Sequence, residues 1–378
     1  MATADTLLSQ ETSQPSFEPV IAHLGTLSAV APALSIVNGN STFDPVKHLA
    51  FQFPSKSYTM KDIGLPEDIG ISSVAVTEPF PLFTPAAIQQ MRAEILSDNV
   101  WDKCRYSSVL AACQLRGYCP RYANFVYDAW KDPATLSIIS KVAGVDLVPN
   151  IDLEIGHINI SVKSETQKDE ELAVLEKEGG RSHQVDKPVV DWHTDSYPFV
   201  CVVMLSDAST MIGGETALRT GNGGILKVRG PQMGSAVVLQ GRYIEHQALR
   251  ALGTTERITM VTSFRPRSPH VRDDSVLTTV RPISVLSELY YQFSEYRLEM
   301  LEERIRATLR ELRESKRGEK LPNIKSLKQF LNTQQEFLKR TSDEIIEEDM
   351  VVGAKTKEAL ERPMKDPGAP NAKRLRVE

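Results

Sequence analysis

The hydrophobic pattern divides the 378-residue chain into regions of different period. Between residues 151 and 265, short runs rich in Val, Ile, Leu and Thr (151–164, 189–205, 225–229, 234–246 and 256–265) are separated by Gly-rich turns, among them Gly213-Gly214 and the GNGG of 221–224. Short runs of this kind predict an antiparallel barrel or sandwich. A further strand is expected over Ser72 to Phe83. It leads into TPAAIQQMRAEILSD, where Thr84 can cap a helix with Pro85 at its first position. Another helix is expected over Pro133 to Ala143, with Asp132 as cap and Gly144 as stop. After Pro282 the period changes to three and four. Leu298, Leu301, Ile305, Leu309 and Leu312 then form one apolar stripe, and a second helix is expected from Ile324 to Lys339. Such a stripe needs burial, either on the outer face of the barrel, or in a dimer, or over the site.

The polar regions complete the outline. Glu165 to Lys187 carries few apolar residues beyond Leu172, Val174 and Leu175, and reads as a surface insert that moves in the absence of substrate. The expected organisation is an N-terminal extension over 1–70, partly disordered, a β core over 71–282 with its insert at 165–187, a helical region over 283–348 and a disordered tail over 349–378. The fold class is therefore mainly β with flanking helices, α+β.

Composition narrows the partners. Hydrophobic residues make up 41% and charged residues 25%, which suits a packed core. A net charge of −5 gives no bulk attraction to nucleic acid or an anionic membrane, and no basic, aromatic-interleaved stripe is present. Cys104, Cys113, Cys119 and Cys201 form no CxxC pair and are expected as free thiols of a reducing compartment. The apolar stretch from Leu24 to Val37 is too short to span a bilayer and contains Pro32. The expectation is a cytoplasmic protein, monomer or homodimer. The basic AKRLRV near the C-terminus leaves nuclear import as an alternative.

The chemistry concentrates in two segments. VVDWHTDSYPFVCVVML places His193 and Asp195 two apart at the mouth of a predicted strand, where residues i and i+2 share a face. His246 follows a second apolar strand and can complete the set. Two imidazoles and one carboxylate on one side of a metal leave positions open, which suits iron(II) better than a closed zinc site. The bland alternative for HxD alone is a surface His beside an Asp. Eleven residues after His246, Arg257 and Thr259 share a face of the apolar strand ERITMVTSF. A guanidinium buried there needs an anion, and a planar fork beside a hydroxyl suits a carboxylate.

The order HTD, then the GG of GGETAL, then a distal His, then RIT resembles the Fe(II)/2-oxoglutarate-dependent oxygenase superfamily over about residues 72 to 267. The chain is more distantly similar to fungal small-molecule members of secondary metabolism. The resemblance implies a double-stranded β-helix (jelly-roll) core, with Fe(II), 2-oxoglutarate and O2 as cofactor and co-substrates. It implies oxidation of a small molecule, such as an amino acid, with release of succinate and CO2. A protein or nucleic-acid hydroxylase or demethylase of the same superfamily is the alternative. By the same resemblance, Arg257 and Thr259 would bind the far carboxylate of the keto acid and Asn159 would contact its keto end. His157 is either a substrate contact or a satisfied core histidine. Arg121, in QLRGYCPRYANFVYDAW, is either a partner for a substrate carboxylate or a surface residue of a connector.

Overall fold

The computed structural model describes residues 42–107, 113–177, 187–230, 232–319, 321, 323–347 and 351. Its strands, in chain order, are β1 (Ser57–Thr59), β2 (Val74–Thr77), β3 (Phe80–Pro81), β4 (Arg105–Tyr106), β5 (Cys113–Leu115), β6 (Leu147–Pro149), β7 (His157–Val162) and β8 (Pro188–His193). They continue with β9 (Phe199–Met204), β10 (Ile212–Gly213), β11 (Thr216–Arg219), β12 (Ile225–Val228), β13 (Ser235–Leu239), β14 (His246–Leu249), β15 (Ala251–Leu252) and β16 (Glu256–Pro266). Ten of them form one antiparallel sheet whose main path runs β1-β2-β13-β9-β16-β7-β5-β4. Four form a smaller sheet in the order β12-β11-β14-β8, and β10 pairs β15.

Alternation along the strands sorts side chains onto two faces of the large sheet. Phe199, Cys201 and Val203 of β9, Ala236 and Val238 of β13, and Ile258, Met260 and Phe264 of β16 enter a core against helices α2 (Pro85–Ile95), α4 (Asn124–Lys131) and α5 (Pro133–Ala143). The intervening Val200, Val237 and Leu239 point the other way, where they meet Leu218 of β11 and Val228 of β12. The two sheets therefore pack face to face, and the second face of the large sheet looks into the space between them. Burial on both sides explains why the central strands read as near-continuous apolar runs rather than as clean alternation.

The helix ends obey their caps. Thr84 accepts from the Ala87 amide at the start of α2. Asp132 accepts from the amides of Ala134 and Thr135 at the start of α5, which Gly144 ends at φ 70°. Two short helices, α1 (Pro45–His48) and α3 (Asp98–Cys104), flank this layer.

Four expectations are corrected. Residues 42–70, expected within an N-terminal extension, already pack on the fold. Phe43 packs on the main core, while Met60 and Ile63 are buried between the sheets. The run 189–205 is two strands in different sheets, because Thr194 to Pro198 turns the chain from β8 to β9. The insert begins as helix α6 (Glu165–Lys177), tied down where Glu171 pairs with both Lys163 and Arg250 at 2.7 Å. Finally, the apolar stripe of the long helix α7 (Leu286–Arg317) is not the face it buries. Leu289, Phe293, Tyr296 and Met300 pack onto the body with Tyr197, Leu277 and Phe337 of α8 (Ile324–Asp343), whereas Leu298, Ile305 and Leu309 are exposed. Apart from Val351, the expected tail over 349–378 lies outside the described residues, as does the apolar stretch before residue 42. Among the described residues no helix is long and apolar enough to cross a membrane.

Candidate metal centre

His193 ends β8 and His246 begins β14, and the two are directly paired across the small sheet. His246 also lies opposite Leu218, whose side chain sits between the sheets. Residues directly opposite share a face, so both imidazoles look inward, toward the large sheet. Their ring centroids are 4.4 Å apart. His193 Nδ1 lies 2.7 Å from the Asp191 carbonyl oxygen and His246 Nδ1 lies 2.9 Å from that of Ile244. A carbonyl only accepts, so each Nδ1 carries the proton and each Nε2 presents a lone pair.

Asp195 reaches the same point from the turn after β8, not from the strand itself as the two-residue spacing suggests. Its amide donates to the Gly241 carbonyl at 3.0 Å, and its own carbonyl accepts from Arg242 at 3.4 Å. Gly241 is required here: a Cβ at that position would lie 1.9 Å from Asp195 Oδ2. Asp195 Oδ1 stands 3.6 Å from His193 Nε2 and 3.7 Å from His246 Nε2, beyond hydrogen-bonding range. Ligand bonds of about 2.1 Å at ordinary angles would separate donor atoms by about 3.0–3.6 Å. The three donors, all within 4.8 Å of one another, thus nearly match a metal shell. Asp195 Oδ2 is buried without a hydrogen-bond partner, which would be costly for a carboxylate facing no cation. The donor set is therefore suited to a divalent ion, and it leaves open positions.

The large sheet faces this centre with a polar row. Thr259 of β16 lies opposite Asn159 of β7, Asn159 opposite Gln114 of β5, and Gln114 opposite Tyr106 of β4. Gln114 Nε2 donates to Asn159 Oδ1 at 2.7 Å, and Tyr106 Oη lies 2.7 Å from His157 Nε2. Burial holds the His157 imidazolium down to a pKa of about 4, with Glu154 opposing and Arg116 reinforcing the shift, so the ring is neutral at pH 7.

Arg257 shares the Thr259 face, two residues toward the strand's start. Its Nε is enclosed and has no hydrogen-bond partner, and among the described residues no carboxylate pairs with it. Desolvation lowers its pKa, as expected for a cation without a counter-charge. The adjacent Glu256 points to the opposite face, where Arg92 holds it with two hydrogen bonds of 2.8 and 3.2 Å.

The structure thus gathers His193, Asp195 and His246 at one point, and Arg257, Thr259, Asn159 and His157 on the wall facing it. Arg121 does not join them: it is exposed and stacks on Tyr122 at 5.1 Å. The buried cation of that segment is Arg116, paired with Glu154 and donating to Ser284 Oγ at 2.7 Å. Gln114, Tyr106 and Gly241 escaped the sequence reading. Gln114 and Tyr106 sit on very short strands without visible period, while Gly241, directly after an apolar run, could have been flagged as a tight turn.

No family model matches the chain, and no curated protein matches it. Solved structures similar to it include a 2OG-Fe(II) oxygenase-family oxidoreductase from Burkholderia pseudomallei, at 17% identity over 48% of this chain and 76% of that one, TM-score 0.31. Others are a prolyl-4-hydroxylase from Pseudomonas putida (13% identity, 49% and 88% coverage, TM-score 0.30) and a dioxygenase for auxin oxidation from rice (14%, 55% and 72%, TM-score 0.30).

Proposed function

We propose that this chain is an Fe(II)/2-oxoglutarate-dependent oxygenase acting on a small molecule, built on a double-stranded β-helix. One observation carries the reading: a three-donor centre with an unpartnered carboxylate oxygen faces a wall that holds an unpartnered arginine. The first calls for a divalent cation and the second for an anion, and a chelating keto acid with a distal carboxylate satisfies both.

In this reading His193, Asp195 and His246 hold the iron. Arg257 and Thr259 hold the far carboxylate of 2-oxoglutarate, and Asn159 orients its keto end. When bound, the metal supplies oxygen activation coupled to conversion of 2-oxoglutarate to succinate and CO2, with one oxygen atom available to the substrate. The protein's own tasks are positional. The Asp191 and Ile244 carbonyls fix both imidazole tautomers, and Gly241 lets Asp195 close. The neutral wall of Tyr106, Gln114 and His157 offers hydrogen bonds without net charge, which suits a small polar substrate such as an amino acid. The net charge of −5 gives no support to nucleic acid.

The test is anaerobic titration with Fe(II) or Co(II), then a screen of amino acids and related metabolites for stimulated succinate release. His193→Ala, Asp195→Ala and His246→Ala should each abolish tight metal binding, and Gly241→Ala should weaken it on the order of tenfold through Asp195. Tight binding retained by any of the three alanine variants removes that residue from the centre. Metal binding without 2-oxoglutarate turnover under any substrate would end the oxygenase reading.

A further inference from the structure

Helix α7 is apolar on two opposite sides, and the body covers only one. Its 32 residues run about 48 Å at about 1.5 Å per residue. Leu289, Phe293, Tyr296 and Met300 face the body, while α8 lies along one flank, where Arg297 Nε donates to Thr341 at 2.9 Å and stacks on Phe337 at 3.8 Å. On the far side, Tyr291, Leu298, Ile305 and Leu312 recur every seven residues. Tyr291 is 61% exposed, Leu298 56% and Ile305 41%, with Leu309, 42% exposed, beside them. A strict seven-residue apolar repeat drifts only about 20° per heptad on a helix and is the pattern of a seam packed against another helix.

Charge says which helix. Along one edge of this stripe the exposed side chains are first all acidic, Glu288, Glu295, Glu299 and Glu302, and then all basic, Arg306, Arg310, Arg313 and Arg317. The change of sign falls beside Ile305. When two identical helices pair about a two-fold axis perpendicular to their length they run antiparallel, and the same edge of each faces the other. The acidic half of one copy then lies along the basic half of its partner, with the Ile305 side chains meeting at the axis.

We infer that the outer face of α7 is a homodimer seam, taken up by the same face of a second copy of this chain in antiparallel register. The seam holds apolar side chains at its centre and reciprocal Glu–Arg contacts along its edge. It lies on the face of α7 turned away from the body. The inference is independent of the metal-centre reading.

Sedimentation equilibrium of the full chain should give twice the monomer mass of 42.1 kDa at micromolar concentration. Ile305→Glu should raise the dissociation constant on the order of a hundredfold and return the monomer mass. The variants R310E/R313E and E295R/E299R should each weaken self-association, because each places like charges across the axis. Mixed in equal amounts, they should form a heterodimer. This mixture also guards against misfolding, since only folded chains can rescue one another. A monomeric wild type, including one whose seam is covered by its own residues 352–378, overturns the proposal. So does a dimer indifferent to Ile305→Glu, or charge variants that fail to pair when mixed.

Discussion

Arg116 and Arg257 are both enclosed cations of the same domain, each with a buried Nε that finds no hydrogen-bond partner, and they differ in their counter-charge. Arg116 is buried beside Glu154, donates to Ser284 Oγ and the Ile283 carbonyl, and shares Glu154 with Tyr197 Oη, 3.2 Å away. Every charge in that cluster is answered from within the chain. Arg257 has its Nε enclosed, no carboxylate partner among the described residues, and a pKa lowered by burial alone. The contrast separates two uses of a buried cation. A pair satisfied internally joins elements, here the segment after β5 to the turns before β7 and α7. A cation left unanswered is, under the proposed function, the one available to an anion from outside.

Stability separates the two arginines most sharply. Glu154→Leu leaves the Arg116 charge buried and unpaired, and should cost about 3–5 kcal/mol in urea unfolding. Arg257→Leu removes a desolvated charge that has nothing to lose, and should stay within about 1 kcal/mol of wild type or gain stability. Equal losses for the two variants would mean that Arg257 is a structural residue after all. Ligand binding should show the reverse order. Arg257→Leu should weaken 2-oxoglutarate binding to the metal-loaded protein by more than about tenfold, since losing one partner of a buried charge pair costs about 2–5 kcal/mol. Its metal affinity should not change. Calorimetry with each ligand separately reads the two effects.

The difference between these arginines also marks how far the sequence could be read. Arg257 was legible because it interrupts an apolar strand, and the helix caps at Thr84 and Asp132 were legible because capping is local chemistry. The three candidate metal donors are legible as residues, but the reason they converge is not: Asp195 depends on a turn and on the space left by Gly241, 46 positions away in the chain. Nothing local in the sequence distinguishes the exposed Arg121 from Arg116, whose carboxylate lies 38 residues on. The stripe of α7 is legible as a repeat, but the sequence does not say that it turns away from the body. Burial was decided by Phe293, Tyr296 and Met300, larger side chains on the opposite side.

Near the satisfied region, His157 gives a smaller and pH-dependent effect. Its folded pKa of about 4 lies below the ordinary value of 6.5, so the folded state favours the neutral ring. The unfolded chain binds the proton first as pH falls. Stability from this residue is therefore complete above pH 6.5 and is lost progressively down to about pH 4, by on the order of 3 kcal/mol at most. His157→Asn should flatten the unfolding free energy across that window relative to wild type, with Glu154 and Arg116 contributing equally in both. An unchanged slope would place the titration elsewhere.

The smallest effect sharpens the comparison at the boundary between the two regions. Gln114 donates to Asn159 Oδ1 at 2.7 Å and lies 3.2 Å from His157 Nε2, so it links the internally satisfied cluster to the wall assigned to the keto acid. It touches no part of the metal centre, and its role is to hold the Asn159 amide in one orientation. Gln114→Ala should cost about 0.5–1.5 kcal/mol of stability, the ordinary value of one neutral hydrogen bond. It should also raise the 2-oxoglutarate requirement a few-fold, with the maximal rate little changed. A merely structural residue would give the first effect without the second. The decisive measurement is the double-mutant cycle with Asn159→Ala, read as 2-oxoglutarate affinity. If Gln114 acts through Asn159, removing the amide makes its own loss silent, with a coupling of about 1 kcal/mol. Additive losses would mean that the satisfied cluster and the ligand wall are separate, and that the row Tyr106-Gln114-Asn159-Thr259 is continuous in register but not in function.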